Sequence, residues 1–164
     1  MNIWRLISFH EEHLKSQITS NFIAAGRIAI GWGHIGSLDA FDSKERIGKE
    51  IRTVYPNSKN SNIGGPSLWH MYANIQIGDL IIIDAQKNWD KVVEVTSDYE
   101  WSNAQPNIAG FPDYFHQRSI KPRPDIDASQ LLKIVGTRPA PGQSPQLVLF
   151  HYGAFSQALM TLRP

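Results

Sequence analysis

The residues of this chain best suited to chemistry are aromatic rather than nucleophilic. Gly31-Trp32-Gly33 closes a short apolar run that starts at Arg27. Glycine tolerates backbone angles that other residues avoid and lets a partner approach closely. A tryptophan held between two glycines at the end of a strand can therefore serve as a stacking platform. The plainer alternative is that Trp32 anchors the core. An opposing wall could come from Trp101, which sits beside Tyr99 and Glu100, from Trp69 or from Tyr114. Trp69 follows Pro66-Ser67-Leu68, where packing beneath a helix is the competing reading. Trp4, inside a first strand, and Trp89, on a hairpin turn, read as structural.

The cations are the second chemical resource. Lys44, Arg46, Lys49 and Arg52 fall within one stretch, and Lys59 follows it. Phosphate contacts from such a surface set affinity, while base contacts set specificity. Arg118, in His116-Gln117-Arg118, is a further candidate phosphate ligand, and His116 and Gln117 could touch a base edge. Asn62 and Ser67 could donate to a ligand near a helix N-terminus, where orphan N–H groups favour anions.

Several chemistries are excluded or disfavoured. The chain has 164 residues and no cysteine, which removes disulfides and thiolate sites and suits a reducing cytosol. Its six histidines form no His-x-x-x-His pair, and His10-Glu11-Glu12-His13 reads as a surface turn. No Walker motif, Gly-x-Ser-x-Gly elbow or zinc set occurs. Asp79, Glu94, Asp98 and Glu100 could in principle hold magnesium, but Glu94, Asp98 and Glu100 share one face only along an unbroken strand, which Ser97-Asp98 argues against, and Asp79 reads as a turn acceptor. An enzyme is not expected, nor a cofactor or metal. The net charge of +1 excludes a strongly polyanion-seeking protein but not a local basic patch. No apolar run is long enough for a membrane helix, and Arg5 and His10 interrupt any signal-peptide pattern. The expectation is a soluble cytoplasmic protein of one domain, residues 1–164.

These residues need elements to position them. Ile3 to Phe9 reads as a strand, Glu11 to Phe22 as a short helix or irregular excursion, and Arg27 to Trp32 as a strand buried on both faces. Gly33 to Phe41 reads as a loop. Asp42-Ser43-Lys44-Glu45 resembles a capping box opening a helix to Val54, with Ile47, Ile51 and Val54 on one face. Tyr55 to Gly65 is polar and reads as a loop, with Pro66 in the first turn of a second helix. Leu80–Ile83 and Lys91–Thr96 read as strands, Ser97 to Pro112 as a long irregular segment, and Tyr114–Ile120 as a strand. Asp127 caps a helix through Ile134. Residues 139–145 read as a linker, Gln146–Phe150 as a strand, and the tail as a short helix. Strands do not alternate regularly with helices, which suits a small mixed α+β barrel better than a doubly wound sheet.

Taken in order, five segments resemble the PUA-like superfamily, and within it the EVE and YTH-like domains. They are Ile28-Ala-Ile-Gly-Trp-Gly33 with the helix from Asp42, Leu68-Trp69 with Ile77-Gly78-Asp79-Leu-Ile-Ile-Ile83, Val92-Val-Glu-Val95, Asp98-Tyr-Glu-Trp101, and His116-Gln-Arg118-Ser-Ile. The nearest likeness is to the modules that read modified DNA in modification-dependent restriction systems. It spans about Ile3 to Arg123, leaving 124–164 as a C-terminal extension. The resemblance implies a small β-barrel flanked by helices and a pocket for a flipped, methylated base. By that resemblance Trp32 forms one wall of an aromatic cage, and Trp101 is the best match for the second, with Phe111 and Tyr114 as substitutes. The asparagine-rich signature of EVE domains is absent. DNA is the expected partner, with an RNA-binding PUA-like module or a small nucleotide-ligand sensor as alternatives. Any cutting would need a separate effector, a nuclease or an NTPase.

Overall fold

The computed structural model describes residues 1–85, 88–104, 110, 113–135 and 145–147. Its first strand, β1 (Ile3–Ile7), leads into α1 (Glu12–Ala25). Gly26 stops that helix in the left-handed conformation, φ 63°, and its N–H returns to the carbonyls of Ile23 and Phe22, as a helix C-terminus requires. Strand β2 (Arg27–Ile30) stops two residues short of the expected end at Trp32, and two single turns of 3-10 helix, Gly33–Ile35 and Leu38–Ala40, replace the expected loop.

Helix α2 (Lys44–Val54) ends where its sequence suggests, and its cap is the hydroxyl of Ser43, which accepts from the Arg46 N–H, while Asp42 pairs with the Arg46 guanidinium at 3.1 Å. Helix α3 (Ser61–Trp69) starts earlier than expected and carries Pro66 in its interior. The reason is tertiary. A Cβ at Gly65 would stand 2.5 Å from the Lys44 carbonyl oxygen, so Gly64-Gly65 lets α3 lie directly on α2. That packing overrides the poor helix propensity of Asn, Gly and Pro. A π-helical turn, His70–Asn74, continues α3.

Strands β3 (Leu80–Ala85) and β4 (Asn88–Val95) form an antiparallel pair, and Trp89, expected on the turn, lies within β4 opposite Asp84. Strand β5 (Glu100–Trp101) lies in the expected irregular segment, followed by β6 (His116–Pro122), α4 (Ala128–Val135) and β7 (Gln146–Leu147). The expected linker 139–145 falls almost wholly outside the described residues. So do the end of the last strand, the tail helix and Phe111.

The fold is mixed α+β, and its sheet contains parallel and antiparallel pairs. The order is β2-β6-β4-β3-β1-β7, with β5 beside β6. Among the described residues only β1 and β3 run parallel, Trp4 opposite Ile81 and Leu6 opposite Ile83. Strand β6 is the joint: His116–Ser119 pairs with β2, and Ile120–Pro122 with β4. The sheet is open, since β2 and β7 at its two ends do not pair with each other among the described residues. A closed barrel is therefore not what these strands form. One core binds the layers, with Trp4, Phe22, Ile28, Ile51, Leu68 and Val93 among its buried side chains. Helix α1 packs on β2, β3 and β6.

Two buried polar residues are architectural. Asp79 accepts from the Asn2 N–H at 2.8 Å, the Trp4 indole N–H at 2.8 Å and the Gln76 N–H at 3.0 Å. Trp4 is thereby the buried structural tryptophan its strand position suggests. Arg118, at 2% exposure, donates from its guanidinium to the carbonyls of Met71, Ser97 and Tyr72 at 2.7, 3.0 and 3.0 Å. It ties the orphan carbonyls of the π-turn to β6. Burial lowers its pKa, and the fields of Asp98 and Asp79 oppose that shift.

Candidate functional site

The C-terminal ends of β1 and β2 open into a cavity of about 590 Å³. Trp32, Tyr114, Phe9 and Tyr55 supply its aromatic walls, Gly31 lies between Trp32 and the strand, and Asp113, Asn60 and Ser58 supply polar groups. β2 ends the sheet on one side, and β1 lies one strand in from the other. A cavity lined by both means that the open sheet curls enough to bring them together.

Trp32 adopts φ 62°, ψ 26°, the left-handed region. Among the described residues no other non-glycine has a positive φ. For a bulky side chain this is a genuine outlier, costing about 1–3 kcal/mol that the surroundings must outweigh. They do so through a set of hydrogen bonds around its two peptide groups. The Trp32 N–H reaches Asp113 Oδ2 at 3.3 Å, and the Gly33 N–H donates to the Asp113 carbonyl at 2.8 Å. The Trp101 indole N–H donates to the Gly33 carbonyl at 2.9 Å. The Trp32 carbonyl faces His116 Nε2 at 3.2 Å, and His116 Nδ1 lies 2.8 Å from the Tyr99 hydroxyl.

The last pair determines a tautomer. A carbonyl only accepts, so His116 carries its proton on Nε2, and Nδ1 accepts from Tyr99. The Tyr99 oxygen in turn accepts from the Leu38 N–H at 3.2 Å. His116 is fully buried, and desolvation pushes it down to about 4. Burial pushes Tyr99 up to about 12. Both side chains are neutral props of the Trp32 backbone at physiological pH.

Glycine geometry completes the wall. A Cβ at Gly33 would stand 2.5 Å from both the Asp113 carbonyl oxygen and Phe115 Cδ2. At Gly31 a Cβ would reach Tyr114 Cε2 at 3.4 Å and Asp113 Oδ2 at 3.5 Å. The indole leans on α3, with Cε2 and Cζ2 both 3.4 Å from the Cβ position of Gly64. Tyr114 tilts against Phe9, ring centroids 6.0 Å apart. Burial raises Tyr114 well above the ordinary tyrosine pKa. The Tyr55 hydroxyl accepts from the His34 N–H at 3.1 Å, and burial, with the charge of Asp113 adding to it, raises Tyr55 to about 12.

The structure thus brings Trp32, Gly31 and Tyr114 into one cavity, with Gly33 behind them. It separates the other two tryptophans. Trp101 is edge-on to Phe115 and lines a different cleft with Tyr72, Tyr99 and Asp98, so it braces the Trp32 backbone from behind. Trp69 packs edge-on to Tyr72 and borders a groove with Lys44 and His70. Lys44, Arg46, Lys49 and Arg52 are exposed on α2, and Lys59 is exposed between the cavity residues Ser58 and Asn60. Asn62 is exposed on α3, whereas Ser67 is buried inside it. His116, Gln117 and Arg118 are all buried, so none is presented to phosphate. Sequence reasoning missed Phe9, Tyr55 and Asp113 as wall residues. The only local signal was the adjacency of Asp113 to Tyr114. Glu94 pairs with Arg123 at 2.9 Å and Glu100 with Arg27 at 2.7 Å. Among the described residues no group of three or more His, Asp and Glu is placed to hold a metal ion.

Residues 4–129 match the family described as Domain of unknown function (DUF8426). The match runs from β1 into α4 and covers most of the chain, so the protein belongs to that family. No curated protein matches it. No helix among the described residues is long and apolar enough to cross a membrane.

Proposed function

We propose that this member of the DUF8426 family is a non-enzymatic reader of nucleic acid, receiving a modified base, flipped out of DNA, in the cavity beside Trp32. The observation that carries the reading is the aromatic wall itself. Trp32, Tyr114, Phe9 and Tyr55 line one cavity, and the Trp32 backbone is held in a costly conformation by hydrogen bonds to Asp113 and the buried His116. An aromatic face stacks on a base for about 1–3 kcal/mol, and a snug pocket offsets the few kcal/mol needed to flip it out. Lys59, between the cavity residues Ser58 and Asn60, and the exposed cations of α2 supply the backbone contacts in this reading. The resemblance to EVE and YTH-like domains supports the same reading, with the curled sheet standing for their barrel and any cleavage left to a separate effector nuclease or NTPase.

Fluorescence anisotropy tests it with duplex and single-stranded DNA carrying adenine, N6-methyladenine, cytosine or a modified cytosine, and with matched RNA. The expected result is preferential binding of one modified DNA, reduced at least about tenfold in Trp32→Ala, the equivalent of about 1.4 kcal/mol. Equal binding of modified and unmodified strands sinks the modified-base reading. A stronger response to the matched RNA moves the protein to the RNA-binding class.

A further inference from the structure

Asp113 has no role in the resemblance, yet it is the carboxylate that lines the cavity beside Trp32. Its backbone is held on both sides, its carbonyl accepting from the Gly33 and Phe115 N–H groups at 2.8 and 3.0 Å. Its Oδ2 accepts the Trp32 N–H at 3.3 Å and lies 3.5 Å from the Cβ position of Gly31. The carboxylate therefore lies against the Trp32 backbone and, with the edge of the Tyr114 ring, beside Gly31 in the lining of the cavity.

We propose that Asp113 sets the ligand class of this cavity, selecting bases that carry an exocyclic amino group with at least one N–H. The inference rests on the reading of the cavity as a base pocket. A carboxylate offers about four acceptor positions and no donor. The Trp32 N–H takes one, and the Tyr55 hydroxyl beside it can take another, which leaves acceptor capacity for the ligand. An amino group meets that capacity with a charge-assisted hydrogen bond. Adenine N6 and cytosine N4 each supply such a group, and one methyl on that nitrogen leaves an N–H in place. Thymine and uracil instead present a carbonyl oxygen at the equivalent position. Two acceptors facing each other in a site walled by rings leave both unpaired, which is how a polar site rejects a near-isostere strongly. Doubly methylated amines lose their last N–H and are rejected for the same reason.

The test compares 2′-deoxynucleosides carrying N6-methyladenine, N6,N6-dimethyladenine, N4-methylcytosine and thymine, by titration calorimetry and as single lesions in the same oligonucleotide. Wild-type protein is expected to prefer the monomethylated bases over dimethyladenine and thymine at least about tenfold. Asp113→Asn keeps an oxygen for the Trp32 N–H but adds an amide donor, and is expected to lose that preference and gain affinity for thymine. Equal wild-type affinity for mono- and dimethyladenine overturns the proposal, and this comparison needs no variant. Retention of the preference in Asp113→Asn also overturns it. Discrimination among nucleosides without oligonucleotide binding supports the role of Asp113 and removes the nucleic-acid reading. Oligonucleotide binding without discrimination does the reverse, and silence from every probe overturns both.

Discussion

Acid should loosen the Trp32 wall through one buried residue. His116 is neutral, with Nε2–H on the Trp32 carbonyl and Nδ1 accepting from Tyr99. Desolvation takes it from 6.5 in the open chain to about 4 in the fold. Between those values the unfolded chain binds a proton that the folded one does not, so stability falls as pH falls. The contribution is whole above about 6.5 and gone by about 4. The gap, at about 1.4 kcal/mol per pH unit, comes to about 3 kcal/mol. His70, half-buried, is shifted down by desolvation as well, so the wild-type curve alone is not diagnostic. His116→Gln isolates the effect, since glutamine keeps an acceptor for Tyr99 and a donor for Trp32 but does not titrate. Urea unfolding of both proteins at about pH 7, 6, 5 and 4.5 measures it. Wild type should lose about 2–3 kcal/mol more than the variant across that range. Curves that stay parallel within about 0.5 kcal/mol would refute the assignment of His116 as a buried neutral prop.

Two further outcomes test the same architecture, and a third tests the proposed partner. Gly33→Ala places a Cβ 2.5 Å from a backbone oxygen and a buried ring and should destabilise by about 3 kcal/mol, near the upper end of overpacking. Gly48→Ala, whose Cβ would meet nothing closer than 3.7 Å in the middle of α2, should instead be neutral or stabilising by up to about 1 kcal/mol in the same denaturation series. If DNA is the partner, replacing Lys49, Arg52 and Lys59 together by alanine should weaken binding to all sequences alike. It should also flatten the salt dependence of log K by about 0.9 for every phosphate that is no longer neutralised. An unchanged slope would place the phosphate surface elsewhere.

Much of the local structure was legible because its signals are short-range. The run Ile28–Ile30, the hydroxyl cap before α2, the face Ile47–Ile51 and the Leu80–Ile83 strand declare themselves within a few residues. What misled was chemistry whose meaning depends on a distant partner. Asn62-Ile-Gly-Gly65 reads as a loop because its propensities are poor, and becomes a helix because α2 needs an uncovered surface against Gly65. Arg118 reads as a phosphate ligand, yet the carbonyls of Met71, Tyr72 and Ser97 consume its donors.

The sequence by itself determined that Trp32 follows a buried strand, between two glycines and ahead of a basic helix, and that no familiar catalytic motif accompanies it. Only the tertiary structure decided its company. Tyr114 and Phe9 face the cavity, Trp101 turns its indole N–H to the Gly33 carbonyl from the other side, and Asp113 and His116 hold the peptide groups around Trp32. The physical reason is that a cavity wall is set by strand order and curl. These bring β1, β2 and the start of β6 together across more than a hundred residues of chain, and no spacing along the sequence encodes that meeting.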